Sequence, residues 1–294
     1  MIEPKTKHSH DIAHFEGIKT MYTTTKSIIV KDAEPFDEAK TRELVGQFHR
    51  DGYLFLKGVL NTEEVDVLRE LMEKKYQDPK MHEEAGDHIR GMSMMRMYEY
   101  DVHFRDLIAR EPVVSLAEAI LGDDCHMMSQ NALRYEPGQG GGWHVDDRVH
   151  VPLPDEIPRH DARLRLPCFV LNTLFPLSRI DDVKYGVTEV VPGSHYSGRK
   201  PGDPHADPEF EGQGPVSLLG EPGDMVMFHN QVWHRGRKNE SDHIRYVGSV
   251  VYSQRIIAQR LYPFIDYRMP EYVWQDADDR MQRLLGRHEK GAYG

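Results

Sequence analysis

The sequence predicts a mainly β domain, a sandwich or barrel, with helices packed in front of it. Three observations lead there. Between about residues 35 and 122 helix signals predominate. After residue 125 short apolar runs alternate with Gly, Pro and Asp turns. No Pro/Gly/Ser-rich linker separates the two regions, and 294 residues suit one large domain.

The elements follow in order. Residues 1–34 lack periodicity and read as an N-terminal arm. From Pro35, Phe36, Ala39, Leu44, Val45 and Phe48 keep a 3.6 spacing until Asp51-Gly52 stops it. Tyr53–Leu60 reads as a strand. Thr62 with Glu63 and Glu64 reads as an N-cap and acidic first turn, opening a helix to about Tyr76. Pro112–Leu121 is a further helix, closed by Gly122. Strands are then expected at Cys125–Tyr135, Gly142–Asp146, Cys168–Leu174, Thr188–Val191, Asp224–His229 and Tyr246–Arg255. Arg148–Pro167 and Gly198–Pro215 are Pro-rich and read as long loops, which at such lengths commonly carry function.

Composition narrows the function classes. A net charge of −11 disfavours nucleic acid and anionic membrane as partners, because phosphate neutralisation needs basic surface. No apolar run of about 18 residues exists to span a bilayer, and the opening residues lack the apolar stretch of a secretory signal. Cys125 and Cys168 are too few for a disulfide framework or a thiolate zinc site and fit buried thiols in a reducing cytoplasm. The 17 histidines are the unusual count.

Two histidines and a carboxylate bind non-haem Fe(II) and leave three positions open. A strand supplies two of these ligands as His-x-Asp, since residues i and i+2 share a face. The chain holds this pattern at His49/Asp51, His144/Asp146 and His205/Asp207. The first sits at a helix end, and prolines surround the third. His144/Asp146 follows the turn Gly140-Gly141-Gly142 and is the best candidate. For the second histidine, the segment 223–253 offers His229, His234 and His243. Only His234 has an arginine eleven residues on, Arg245, with turn-like Gly236 and Asn239–Asp242 between them. Two antiparallel strands would present that pair together, and a guanidinium suits a bidentate carboxylate. A zinc hydrolase with the same three ligands, or a binding module without catalysis, remains open on these residues.

At this point the sequence resembles the phytanoyl-CoA hydroxylase-like family of Fe(II)/2-oxoglutarate oxygenases. FHRDGYLFLKGVLNTEEVDVLREL looks like its N-terminal helix–strand–helix, and GGWHVDD like its metal-binding His-x-Asp. GVTEVVPGSHYSG and GDMVMFHNQVWHRGRKNESDHIR are similar to its two later segments. The resemblance implies a double-stranded β-helix, the jelly-roll barrel of cupins. It implies one oxygenase domain, with 1–34 an arm, 35–122 helical support, 123–256 the barrel core and 257–294 a C-terminal extension. It implies His144, Asp146 and His234 as iron ligands and Arg245 on the distal carboxylate of 2-oxoglutarate. Thr188 and Asn131 are further cosubstrate contacts, whereas His229 and His195 are structural. The implied reaction consumes O2 and 2-oxoglutarate and oxidises a C–H bond of a small metabolite. Retention of Asp146 favours hydroxylation, or a related desaturation, ring closure or epoxidation, over halogenation.

Substrate enters through the barrel mouth. His88–Arg105, with Arg96 and Met94, and Arg148–Arg165, opening with Arg148 two residues after Asp146, are the segments expected to contact it. Their cations suit a small polar or anionic molecule. Oligomeric state is not legible.

Overall fold

The computed structural model describes residues 27–30, 33–82, 88–261 and 267–289. Most of the arm expected over 1–34 therefore lies outside the described residues. So does part of the C-terminal extension.

Among the described residues, eleven strands form two sheets. They are β1 (Ser27–Ile29), β2 (Tyr53–Lys57), β3 (Ile89–Arg90), β4 (Ser93–Met95), β5 (His126–Tyr135), β6 (Val170–Pro176), β7 (Thr188–Val190), β8 (Val216–Ser217), β9 (Met225–His229), β10 (His234–Gly236) and β11 (Arg245–Ser253). The large sheet runs β1-β2-β9-β6-β11-β5-β4-β3 and the small one β10-β7-β8. All pairs are antiparallel except β1–β2. The helices are α1 (Glu38–Asp51), α2 (Thr62–Gln77), α3 (Met97–Tyr100), α4 (Val102–Asp106), α5 (Val113–Leu121) and α6 (Asp279–Leu284).

The large sheet is buried on both faces, and its strands alternate accordingly. On β9, Met225 and Met227 face a core that contains Leu44 and Phe48 of α1, Leu68 and Met72 of α2, and Leu116 of α5. Val226 and Phe228 face the other way, into a core shared with Tyr53, Phe55, Val190 and Leu218. The helices thus cover the outside of the barrel, and the small sheet closes its inside.

Local chemistry explains the front elements. Asp37 caps α1 by accepting the Lys40 N–H, and Gly52 ends it with φ 82. The cap of α2 is Asn61, one residue before the expected Thr62. Its side chain accepts the Glu64 N–H and the Glu64 carboxylate accepts its own N–H, a reciprocal pair that Thr62 does not make. β2 stops at Lys57, short of Leu60, because Gly58 turns the chain at φ 73 and Leu60 donates to Gly223. β6 begins at Val170, two residues later than expected.

Gly142–Asp146 is not a strand. It makes one isolated bridge, between His144 and His234. The hairpin β3–β4 falls within the segment read as a mouth loop, and it extends the large sheet beside β5. The long loops at 148–167 and 198–215 carry no helix and no named strand. They are tied together by Arg199, which donates to the carbonyls of Pro154, Ile157 and Pro158.

The α2 cap gives a direct stability test. Asn61→Ala is expected to cost about 1 kcal/mol, read as a lower urea midpoint at unchanged m-value. An unchanged midpoint would show that α2 is held by its packing alone.

Candidate metal and cosubstrate site

The site starts from a backbone pairing. β10 opens at His234, paired with Val190 of β7, and Gly236 pairs with Thr188. On the other side of His234 lies His144. Each donates its N–H to the other's carbonyl at 3.0 Å. This antiparallel bridge sets the two imidazoles side by side, with ring centroids 4.2 Å apart. Asp146, two residues on, falls on the same side as His144. Its Oδ1 lies 3.7 Å from each Nε2. The three ligand atoms lie within 4.8 Å of one another, and no other such group of His, Cys, Asp or Glu occurs among the described residues.

The tautomers suit a metal. His144 Nδ1 donates to Gly142 O at 2.8 Å, and His234 Nδ1 donates to Val232 O at 2.9 Å. Each Nε2 is left free, 3.7 Å from Asp146 Oδ1, the arrangement by which a second hydrogen bond fixes a metal-binding imidazole. Burial pushes the His234 pKa down; the Asp146 carboxylate opposes this and His144 adds to it. Gly142 permits the approach, since a Cβ there would stand 2.8 Å from Pro204 O.

Asp146 is oriented by residues that the sequence reading missed. Asn172 on β6 donates Nδ2–H to Asp146 Oδ2 at 2.7 Å. The Asp146 backbone donates to Asn230 O at 3.0 Å and accepts from Gln231 Nε2 at 3.1 Å. A lone Asn within the apolar run of β6 gives no sequence signal. Only the strand pairing shows that it faces the barrel.

Arg245 opens β11 and is 4% exposed. Its Nη2 donates to Thr188 Oγ1 at 3.2 Å, and its guanidinium lies 4.6 Å from the Tyr135 ring centroid. Nε and Nη1 are buried without a partner. Burial lowers its pKa. A buried guanidinium with two free N–H edges and no carboxylate beside it, among the described residues, calls for an anion from outside the chain. Asn131 stands on the same wall. It pairs with Ser249, four residues along β11 from Arg245, while its neighbours Gln130 and Arg134 turn outward to Tyr98 and Glu73.

Two residues expected at the substrate are placed elsewhere. Met94 is fully buried in the outer core, opposite Ala132. Strand alternation gives the barrel side to Met95, opposite Asn131. Arg96 is buried against the helical layer, ion-paired with Glu99 at 2.8 Å and stacked over Tyr267. Arg148 is exposed beside Asp147. His229 and His195 stack on each other at 5.2 Å, and His229 on Phe48 at 6.1 Å. Burial lowers both pKa values, that of His195 to about 4. The other two His-x-Asp pairs serve packing: Asp51 ends α1, and Asp207 accepts Trp143 Nε1 at 3.2 Å and pairs with Arg235 at 2.8 Å.

A jelly-roll barrel with two histidines and a carboxylate at one mouth defines a class of metal-dependent protein. The chain belongs to the phytanoyl-CoA dioxygenase family, whose sequence profile matches residues 48–247 and so spans the whole cluster and Arg245. The ectoine dioxygenase of Stutzerimonas stutzeri strain A1501 is 29% identical over 164 residues, covering 52% of this chain and 50% of that protein. The match thus spans about half the length of that relative. The ectoine dioxygenase of Nocardia farcinica strain IFM 10152 is 22% identical over 235 residues, 67% of this chain and 72% of that protein. Among solved structures, the epimerase SnoN with Fe3+, α-ketoglutarate and nogalamycin RO superposes with TM-score 0.59 at 23% identity, covering 82% of this chain and 93% of that one. HygX of Streptomyces hygroscopicus with nickel, 2-oxoglutarate and hygromycin B gives 0.56 at 16% identity, covering 74% and 89%. These likenesses establish the double-stranded β-helix.

Asn172→Ala is expected to weaken metal binding by about 10–100-fold, because it frees the Asp146 carboxylate to rotate. Anaerobic titration with Fe(II), with circular dichroism as the check on folding, measures it. Unchanged affinity in a folded variant would remove Asn172 from the site.

Proposed function

We propose that this protein is an Fe(II)- and 2-oxoglutarate-dependent dioxygenase that hydroxylates an unactivated C–H bond of a small metabolite. One observation carries the reading. The buried guanidinium of Arg245, whose Nε and Nη1 have no partner, shares a barrel wall with the His144–Asp146–His234 cluster. A zinc hydrolase needs three ligands and water and has no use for that arginine. A dicarboxylate cosubstrate needs it.

The residues present fit both groups. His144, Asp146 and His234 would hold Fe(II). Arg245 and Thr188 would receive the distal carboxylate of 2-oxoglutarate, with Asn131 alongside. Held there, iron would supply oxygen activation coupled to oxidative decarboxylation of 2-oxoglutarate, with one oxygen atom in succinate, the other in the hydroxylated product, and carbon dioxide released. The chain supplies placement. The Nδ1 hydrogen bonds fix the orientation of both imidazoles so that Nε2 is the ligand atom, Asn172 holds the carboxylate, and the buried walls exclude water from the cosubstrate. Arg148, exposed at the mouth, would meet the substrate. Retention of Asp146 leaves no ligand position for a halide, so hydroxylation, or a related desaturation, ring closure or epoxidation, is expected in place of halogenation.

Cys125 and Cys168 are buried and unpaired. Burial raises both thiol pKa values, that of Cys125 to about 11, so both stay protonated and fit a reducing cytoplasm. No helix among the described residues is long and apolar enough to cross a membrane.

Arg245→Lys tests the assignment. An ammonium cannot reproduce the bidentate fork, so the apparent 2-oxoglutarate affinity should fall at least tenfold while Fe(II) affinity holds. Wild-type 2-oxoglutarate affinity in this variant would show that Arg245 is not the cosubstrate cation.

A further inference from the structure

The barrel wall continues beyond the metal cluster. Residues paired across antiparallel strands project to the same side. Val251 pairs with Asn172, whose amide reaches Asp146, so Val251 stands beside the cluster on the barrel side. Arg245 lies six residues back along β11, toward one end of the barrel. Toward the other end, Val251 joins Met128 and Val170 in a separate apolar cluster, with Phe169 and Ile257 packed against it. Met128, Val170 and Val251 are themselves buried, so this end of the barrel is open to solvent only at its rim.

The wall ends at a charged rim. Asp147 turns the chain directly after Asp146, at φ 60. Its carboxylate accepts Arg260 Nη1 at 2.6 Å and Nη2 at 3.2 Å. Arg260 is fastened to the wall, since its backbone N–H donates to Met128 O at 2.8 Å. Arg148 follows in the chain, exposed. Arg148 and Arg260 against Asp147 leave the rim one positive charge in excess, in a chain of net charge −11.

We propose that the substrate carries a carboxylate and that Arg260, at the exposed rim beside Asp146, receives it. This rests on the iron and 2-oxoglutarate reading of the site. The contact with Asp147 uses only Nη1 and Nη2. The Nε–H and the outer Nη N–H form a second edge that matches a carboxylate bidentately. The Arg260 and Asp147 side chains are 47% and 34% exposed, so an anion reaches that edge from solvent. Asp147 is the positioning residue: it holds the guanidinium at a fixed place next to the ligand Asp146. A cationic substrate would meet two arginines here, and a wholly apolar one would leave the rim unused.

The test follows 2-oxoglutarate consumption by the iron-loaded protein with a panel of small cyclic carboxylic acids, each beside its primary amide and the phosphate ester of its alcohol. An acid is expected to stimulate consumption at a concentration at least tenfold below that of its amide. Arg260→Gln should abolish this preference, and Arg260→Lys should retain part of it, which keeps the test available should the glutamine variant fail to fold. Equal response to acid and amide, preference for the phosphate ester, no response to any acid, or an undiminished acid preference in Arg260→Gln would each overturn the proposal. Failure of the underlying reading shows separately: the anaerobic protein would then give no visible charge-transfer band with Fe(II) and 2-oxoglutarate before any panel compound is added.

Discussion

The site depends on a single backbone bridge. His144 and His234 are 90 residues apart in the chain, and two hydrogen bonds of 3.0 Å between their main chains bring them together. Everything else at the cluster is local geometry around that bridge. Asp146 follows His144 by the period of an extended chain. Each Nδ1 is satisfied by the carbonyl two residues back, at Gly142 and Val232. The bridge is short because no strand surrounds it on the His144 side, so the neighbours must hold the segment in place. Gly142 packs on Pro204, the Trp143 N–H donates to the same carbonyl, and Trp143 and Val145 are buried with Val191 and Trp233.

The large sheet gives the bridge something rigid to lie against. Its outer face is locked by the helices. Its inner face carries, in order along the paired strands, the apolar patch at Val251, the Asn172 amide, Asn131 and the Tyr135–Arg245 stack. Strand alternation thus sorts the side chains into those that build the core and those that face the cavity. Burial strengthens the electrostatics there. A buried guanidinium with Nε and Nη1 unsatisfied is costly to maintain without an anion, which supports the proposed cosubstrate position.

Much of this was legible in the sequence, for identifiable reasons. The His-x-Asp motif and the His234–Arg245 pair are short-range patterns whose meaning is set by extended-chain periodicity, and the motif context separated His144/Asp146 from the two other candidates. Helices α1, α2 and α5 announced themselves by caps and period. What escaped depends on long-range pairing. Asn172 gains its role only because β6 lies beside the His144 segment. Met94 and Arg96 were expected in the mouth because composition favours them there, but a one-residue alternation assigns the barrel side to Met95 and turns Met94 into the core. The Asp147–Arg260 pair joins residues 113 apart, and no local signal links them.

The bridge gathers three side chains that would together form one metal centre. The most direct measurement is an anomalous-difference diffraction map of crystals grown with Mn(II), a redox-stable stand-in for Fe(II). One strong peak is expected within bonding distance of His144 Nε2, an Asp146 carboxylate oxygen and His234 Nε2, with both Nδ1 hydrogen bonds kept. A peak bound elsewhere, or one that lacks any of these three ligands, would contradict it.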